Sequence, residues 1–161
     1  MLKKDKKILG SKAYGIPDQV RKLRFAIVAS RYNAELVDTL LQHTIETFSR
    51  AGVREVDVYR VPGSYEIPVV VSQLADSKNY QSVLALGVVL QGKTSHADHI
   101  ALACAIHLQA IAVKTKTPII HQILTPKNTK DARARVEVRG VEAAQTALEM
   151  AGVMFEIKTK R

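Results

Sequence analysis

The 161-residue chain is 47% hydrophobic, so it can bury a core in one compact domain, and no uninterrupted apolar run reaches the roughly 18 residues of a membrane span. Its net charge of +9 is concentrated at the ends: residues 1–24 carry +6 and residues 156–161 carry +2. Few aromatic residues accompany these bases, so nucleic acid is not an expected partner and both ends are predicted to be solvated.

Apolar runs alternate with amphipathic segments along the chain. Consecutive apolar residues predict strands, and apolar residues recurring every three or four positions predict helices. In chain order the elements are a strand at 25–29, a helix at 34–51 closed by Gly52, a strand at 56–61, a helix at 66–77, a strand at 82–90, a helix at 95–116, a strand at 118–124, and helices at 128–136 and 139–151.

This alternation predicts the fold class. Strands that are apolar on both faces and joined by helices form a parallel sheet that is covered on both sides. The chain is therefore predicted to be α/β, a three-layer α/β/α sandwich around a four-stranded parallel sheet, flavodoxin-like. The domain is expected at 25–155, between a basic N-terminal segment at 1–24 and a basic tail at 156–161.

Two features predict a cytoplasmic protein. The first residues, Met1 to Asp5, carry charge without an apolar stretch behind them, which does not fit a secretory signal. The single cysteine, Cys104, excludes an internal disulfide and stands between two alanines, so a small buried residue is expected there.

Ligands of open parallel sheets bind beyond the carboxyl ends of the strands. One such end, Gly87–Thr94, matches the phosphate-binding pattern G-x-x-x-x-G-K-[ST]. Val88, Val89 and Leu90 favour extended backbone rather than the nest of a nucleotide loop, and no later strand ends in an aspartate for Mg²⁺. A nucleotide site is therefore not expected, but a turn that leads into a helix N-terminus still predicts an anion site.

His96 lies just inside that helix. Ser95 and Asp98 have the spacing of a capping box, and an imidazole beside a phosphate site is suited to proton transfer. The alternative is an ordinary surface histidine. His96, Asp98 and His99 could also suggest a metal, but His96 and Asp98 do not share a helix face and no further ligand cluster exists, so no metal is expected.

Four strand-end segments and the closing helix together carry a family resemblance. The segments are Ser30–Asn33, Val61–Pro68, Gly87–His96, Thr125–Arg135 and Gly140–Ala151. In order and spacing they resemble the 6,7-dimethyl-8-ribityllumazine synthase family over about residues 24–155. The combination of the motif V-P-G-[AS]-[FY]-E-I-P with the motif G-x-[TS]-x-H is specific for that family. The resemblance implies a transferase of riboflavin biosynthesis that uses no cofactor or metal. Its two small-molecule substrates are 5-amino-6-(D-ribitylamino)uracil and 3,4-dihydroxy-2-butanone 4-phosphate.

The resemblance also implies roles for individual positions. On the pyrimidine and ribityl side the matching residues are Tyr32, Asn33, Ser64, Tyr65, Glu66, Val88, Val89 and Leu90. The ring of Tyr32 would stack on the pyrimidine, residues 64–66 would hold the ribityl chain, and the backbone of residues 88–90 would bind the pyrimidine edge. On the phosphate side the matching substrate-binding residues are Lys93, Thr94 and Arg135, and the residues expected to be catalytic are the proton-transferring His96 and Arg135.

This chain departs from the family pattern at two places. His121 stands in the pyrimidine pocket where the family usually has phenylalanine. The loop after Arg135 is about four residues shorter than usual, and its phosphate-binding lysine has no clean counterpart. Lys93 or Arg139 are the candidates to replace that charge.

The family also implies an assembly. Its active sites lie between neighbouring subunits of a pentamer, and some members join twelve pentamers into a shell. The Ala-rich segment 100–113 is compatible with close helix packing around an axis. The expected partners are small-molecule substrates and further copies of the chain, with no membrane.

Two alternative functions remain. One is a nucleotide-binding switch. The other is a non-catalytic relative of the family that serves as a scaffold or flavin-binding protein.

Overall fold

The computed structural model describes residues 22–160, so most of the predicted basic segment 1–24 lies outside the described residues. Four strands alternate with four helices. They are β1 (Arg24–Ser30), α1 (Ala34–Arg50), β2 (Glu55–Val61), α2 (Ile67–Asp76), β3 (Ser82–Val88), α3 (His96–Thr115), β4 (Ile119–Leu124) and α4 (Thr129–Thr159), with a 3₁₀ turn at Ser64–Glu66. The predicted fold class is confirmed.

The four strands form one parallel sheet in the order β2-β1-β3-β4. The central strands have hardly a polar residue, and β3 is buried along its whole length. The edge strands are less buried: Val61 is the one buried residue of β2, and Ile120 and Ile123 are the buried residues of β4. Because β1 and β3 are the two central strands of a parallel sheet, their carboxyl ends lie side by side in the middle of one end of the sheet.

Two apolar clusters hold the helices on the sheet. Alternate side chains of β1 point to opposite faces: Phe25 and Ile27 enter the cluster with α1 and α4, and Ala26 and Val28 enter the cluster with α2 and α3. Phe25 stacks on Phe48 of α1, with ring centroids 4.6 Å apart. As a result, α2 and α3 cover one face, and α1 and α4 cover the other.

The end of the chain differs from its prediction. Helices were expected at 128–136 and 139–151 with a short loop between them, and this expectation is wrong because α4 runs without a break from Thr129 to Thr159. It also takes in most of the predicted tail. A Cβ on Gly140 would lie 2.5 Å from the carbonyl oxygen of Leu40, so glycine allows α4 to approach α1 closely. The tertiary contact outweighs the low helix propensity of glycine.

Helix α3 has an unusual outer surface. By length and mean hydropathy it is long and apolar enough to cross a membrane, although it contains no uninterrupted apolar run of that length, and 17% of its most apolar window is buried. It packs on α2 and β4 along one side. On its outer side Leu102, Ile106 and Val113 are 61%, 57% and 70% exposed. These side chains form an apolar stripe that no described residue covers.

Candidate active site

A cleft of about 890 Å³ opens beyond the carboxyl ends of β1 and β3, between the 3₁₀ turn and the start of α3. Ten residues that the sequence singled out line it together. They are Tyr32, Asn33, Ser64, Tyr65, Glu66, Val88, Val89, Leu90, Thr94 and His96. Its position is the one expected for a ligand of an open parallel sheet.

The wall after β1 is held by Asn33. Its backbone is left-handed, with φ 56°, a conformation that asparagine tolerates better than most residues. Its side-chain amide donates a hydrogen bond of 2.7 Å to the carbonyl of Val88 and so joins the start of α1 to the end of β3. The ring of Tyr32 beside it is 74% exposed at the cleft.

The 3₁₀ turn after β2 places Ser64 deep in the wall. A Cβ on Gly87 would lie only 2.4 Å from the hydroxyl oxygen of Ser64, so the turn reaches the sheet because residue 87 has no side chain. One carboxylate oxygen of Glu66 accepts a hydrogen bond of 2.8 Å from the amide of Gly63. That bond fixes the direction of the carboxylate and leaves its other oxygen available to a ligand hydroxyl.

The floor of the cleft is the backbone after β3. Strand pairing ends at Val88 rather than at Leu90 as predicted. The amides of Val89 and Gln91 donate to the carbonyls of Leu124 and Pro126, at 2.8 and 3.0 Å. Because peptide groups alternate along an extended chain, the peptide groups of Leu90 point the other way, towards the side from which Asn33 reaches Val88.

The turn from β3 into α3 does not have the form of a nucleotide loop. Gly87 belongs to β3, and neither Gly87 nor Gly92 has a positive φ. The residues between them stay extended, with the amides of Val89 and Gln91 bonded to the chain at the end of β4, rather than forming the nest of a nucleotide loop. Thr94 and His96 line the cleft, whereas Lys93 does not. The prediction of a capping box at Ser95 is wrong, because the side chain of Ser95 makes no hydrogen bond to the backbone at the start of α3.

His121 and Arg135 do not line the cleft of their own chain. His121 lies opposite Ala85 on the edge strand β4 and is exposed, although neighbouring groups desolvate it enough to lower the pKa of its imidazole. Arg135 is exposed on α4, in the layer on the other side of the sheet from α3. Arg139, one candidate for the missing lysine, pairs with Glu142 at 2.8 Å.

The cleft also includes residues that the sequence reasoning did not assign to the substrate site. His99, Ile100 and Ala103 share the face of α3 that begins with His96. Positions three, four and seven residues apart lie on one side of a helix, so this spacing could have identified them. Behind the wall, the buried thiol of Cys104 donates to the carbonyl of Ser64 at 3.3 Å, and burial, with the charge of Glu66, raises its pKa.

Within residues 22–160, no three histidine, cysteine or acidic side chains are close enough together to hold a metal ion. The cleft instead offers hydroxyls, one carboxylate, backbone groups, two imidazoles and a helix N-terminus. Such groups bind a polyhydroxyl chain, a planar heterocycle and an anion, and they can transfer protons.

Comparison with known proteins gives one result. Residues 22–154 match the family of 6,7-dimethyl-8-ribityllumazine synthase. A protein of that name from Thermococcus gammatolerans is 40% identical over 139 residues, which span 84% of this chain and 90% of that protein. Another from Sodalis glossinidius is 39% identical over 142 residues, 84% and 91% of the two chains. A third, from Xanthomonas oryzae, is 37% identical over 137 residues, 81% and 89%.

Proposed function

Because the chain belongs to the 6,7-dimethyl-8-ribityllumazine synthase family, we propose that the cleft beyond β1 and β3 is its active site. The chain is a transferase that condenses 5-amino-6-(D-ribitylamino)uracil with 3,4-dihydroxy-2-butanone 4-phosphate. The products are 6,7-dimethyl-8-ribityllumazine, phosphate and water. The observation that carries the site is that residues from three separate strand ends, matched to the family one by one, line a single cleft.

The pyrimidine lies on the floor and wall formed by β1 and β3. The exposed ring of Tyr32 stacks on the heterocycle, and the peptide groups of Leu90 pair with its polar edge. The ribityl chain extends along the 3₁₀ turn, where the free oxygen of Glu66 accepts hydrogen bonds from its hydroxyls. Asn33 positions this floor through its bond to Val88.

The ketone phosphate binds at the start of α3. Helix N-terminal amides and the hydroxyl of Thr94 hold the phosphate, and Lys93 adds charge from outside the cleft. The amine attacks the ketone, water leaves and an imine forms. His96 then transfers the protons that accompany loss of phosphate and closure of the second ring with loss of water.

Two of the proposed residues act from a neighbouring subunit. His121 and Arg135 lie outside the cleft of their own chain, and a guanidinium suits a phosphate. The apolar stripe on α3 provides the surface for such a neighbour, since exposed apolar patches of this kind mark protein contacts. We propose that the chain forms a homo-oligomer built from pentamers, with active sites between subunits. We also propose that this oligomer is cytoplasmic.

The activity can be tested directly. The purified protein is incubated with both substrates, and the fluorescence of the lumazine product is followed, with each substrate omitted in turn. Product that forms only with both substrates is expected. If none forms while a known lumazine synthase is active in the same buffer, the chain is a scaffold or flavin-binding relative rather than an enzyme.

A further inference from the structure

A second cavity, of about 380 Å³, lies at the opposite end of the sheet, where the strands begin. The residues before β1, the loops before β3 and β4, and the last turns of α4 form it. We call it the basic pocket, because four lysines line it: Lys22, Lys78, Lys116 and Lys158. Both basic ends of the sequence therefore reach the same cavity.

The positive charge of the basic pocket is not neutralised by the described chain. No acidic residue between 22 and 160 lines it, and Lys116 and Lys158 form no ion pair in that range. The ammonium of Lys78 donates to the carbonyl of Thr115 at the end of α3. Helix C-termini attract cations to this end of the fold, but four ammonium groups around one cavity still repel each other.

Apolar side chains complete the wall. Phe155 is 45% exposed and lines the pocket together with Met154, one turn before Lys158. An aromatic ring and a flexible thioether provide a surface for a flat or aliphatic group. The cavity thus combines an apolar wall with a ring of positive charge, and its volume is at the lower end of the range for small-molecule sites.

We propose that the basic pocket binds a small phosphorylated compound with one aromatic ring system. The phosphate is held by the ammonium groups, which bind phosphates as point charges, and the ring lies on Met154 and Phe155. The basic segment of the same chain is not the occupant, since residues 1–21 carry six bases and two acids and would add repulsion. This site is independent of the cleft beyond β1 and β3.

The proposal is tested with a fluorescent aryl phosphate, 4-methylumbelliferyl phosphate, by fluorescence anisotropy at low salt. The test variant is Lys116→Gln with Lys158→Gln. The matched control is Arg50→Gln with Arg54→Gln, which removes the same charge from the same end of the fold but outside the pocket. The test variant is expected to bind about tenfold more weakly than the wild type, and the control less than about twofold.

Two further measurements test whether the ring contributes to binding and whether the compound binds in the basic pocket rather than in the cleft. Inorganic phosphate should compete at least about tenfold less well than the aryl phosphate, because it lacks the ring. Thr94→Val, in the cleft, should leave this binding unchanged. Equal losses in the test and control variants, a loss only in Thr94→Val, or no binding by the wild type would each overturn the proposal.

Discussion

At the scale of single residues, His96 is the position on which the proposed chemistry depends. It is the first residue of α3, it lines the cleft, and its imidazole has no described hydrogen-bond partner that would occupy it. His96→Gln keeps a polar side chain but cannot transfer protons in the same way. We expect turnover to fall by about 100-fold or more, because general acid–base catalysis has that magnitude, with little change in pyrimidine affinity.

Steady-state product fluorescence and direct binding of the pyrimidine measure the two quantities separately. Asp98→Asn, on the exposed side of the same helix turn, serves as the control, since Asp98 does not line the cleft. If His96→Gln kept wild-type turnover, His96 would be a surface histidine and the proton transfer would need another residue.

Cys104 supports the wall of the cleft from behind. Its thiol is buried and its pKa is raised above the ordinary value of 9.0 by burial and by the charge of Glu66. Because the pKa is higher in the folded state, the neutral thiol of Cys104 favours folding. Its contribution to the free energy of unfolding is complete below about pH 9 and is lost as the pH rises beyond that value. We expect slow reaction of the thiol with iodoacetamide in the folded protein and fast reaction after unfolding, measured by mass spectrometry. Comparable rates in the two states would show that the thiol is accessible.

At the scale of whole elements, the contact between α1 and α4 depends on Gly140. A Cβ there would lie 2.5 Å from the carbonyl oxygen of Leu40 and 2.9 Å from Cβ of His43, both in α1. Gly140→Ala should lower the free energy of unfolding by about 1–3 kcal/mol, although alanine favours helix by about 1 kcal/mol. Denaturant titration measures this, and Thr146→Ala on the exposed side of α4 is the control. An increase in stability would mean that the two helices can separate without cost.

Elements also show how far the sequence alone could go. Periodicity and apolar runs predicted each strand and the first three helices to within two residues, because their burial follows directly from the residue pattern. The continuity of α4 across the predicted gap at 137–138 was missed, because the contact of Gly140 with α1 joins residues far apart along the chain and leaves no local signal. The cleft residues on strand ends could be identified, whereas the bond from Asn33 to Val88 joins residues 55 positions apart and leaves no local signal.

At the scale of the whole molecule, we propose that the active site is shared between copies of the chain. Arg135 is on α4, away from the cleft that contains His96. His96→Gln and Arg135→Ala should each be nearly inactive as pure proteins. When they are unfolded together and reassembled in equal amounts, random mixing should restore about a quarter of the sites, because a neighbour supplies the missing group.

Product fluorescence of the mixture, compared with the two pure variants treated in the same way, measures this recovery. Native mass spectrometry of the same samples gives the number of subunits. If the mixture is no more active than its components while mixed oligomers are present, both residues act within one chain and the proposed arrangement is wrong.

The unbroken course of α4 has a practical consequence. Its 31 residues extend for roughly 46 Å, from the carboxyl end of β4 to the far end of the sheet, where its last turns line the basic pocket. A protein fused to the end of the chain would therefore be carried on a continuous helix whose last turns lie at the opposite end of the sheet from the proposed active site. Such a fusion, or attachment to a solid support through the same end, should display cargo without obstructing the entry of either substrate.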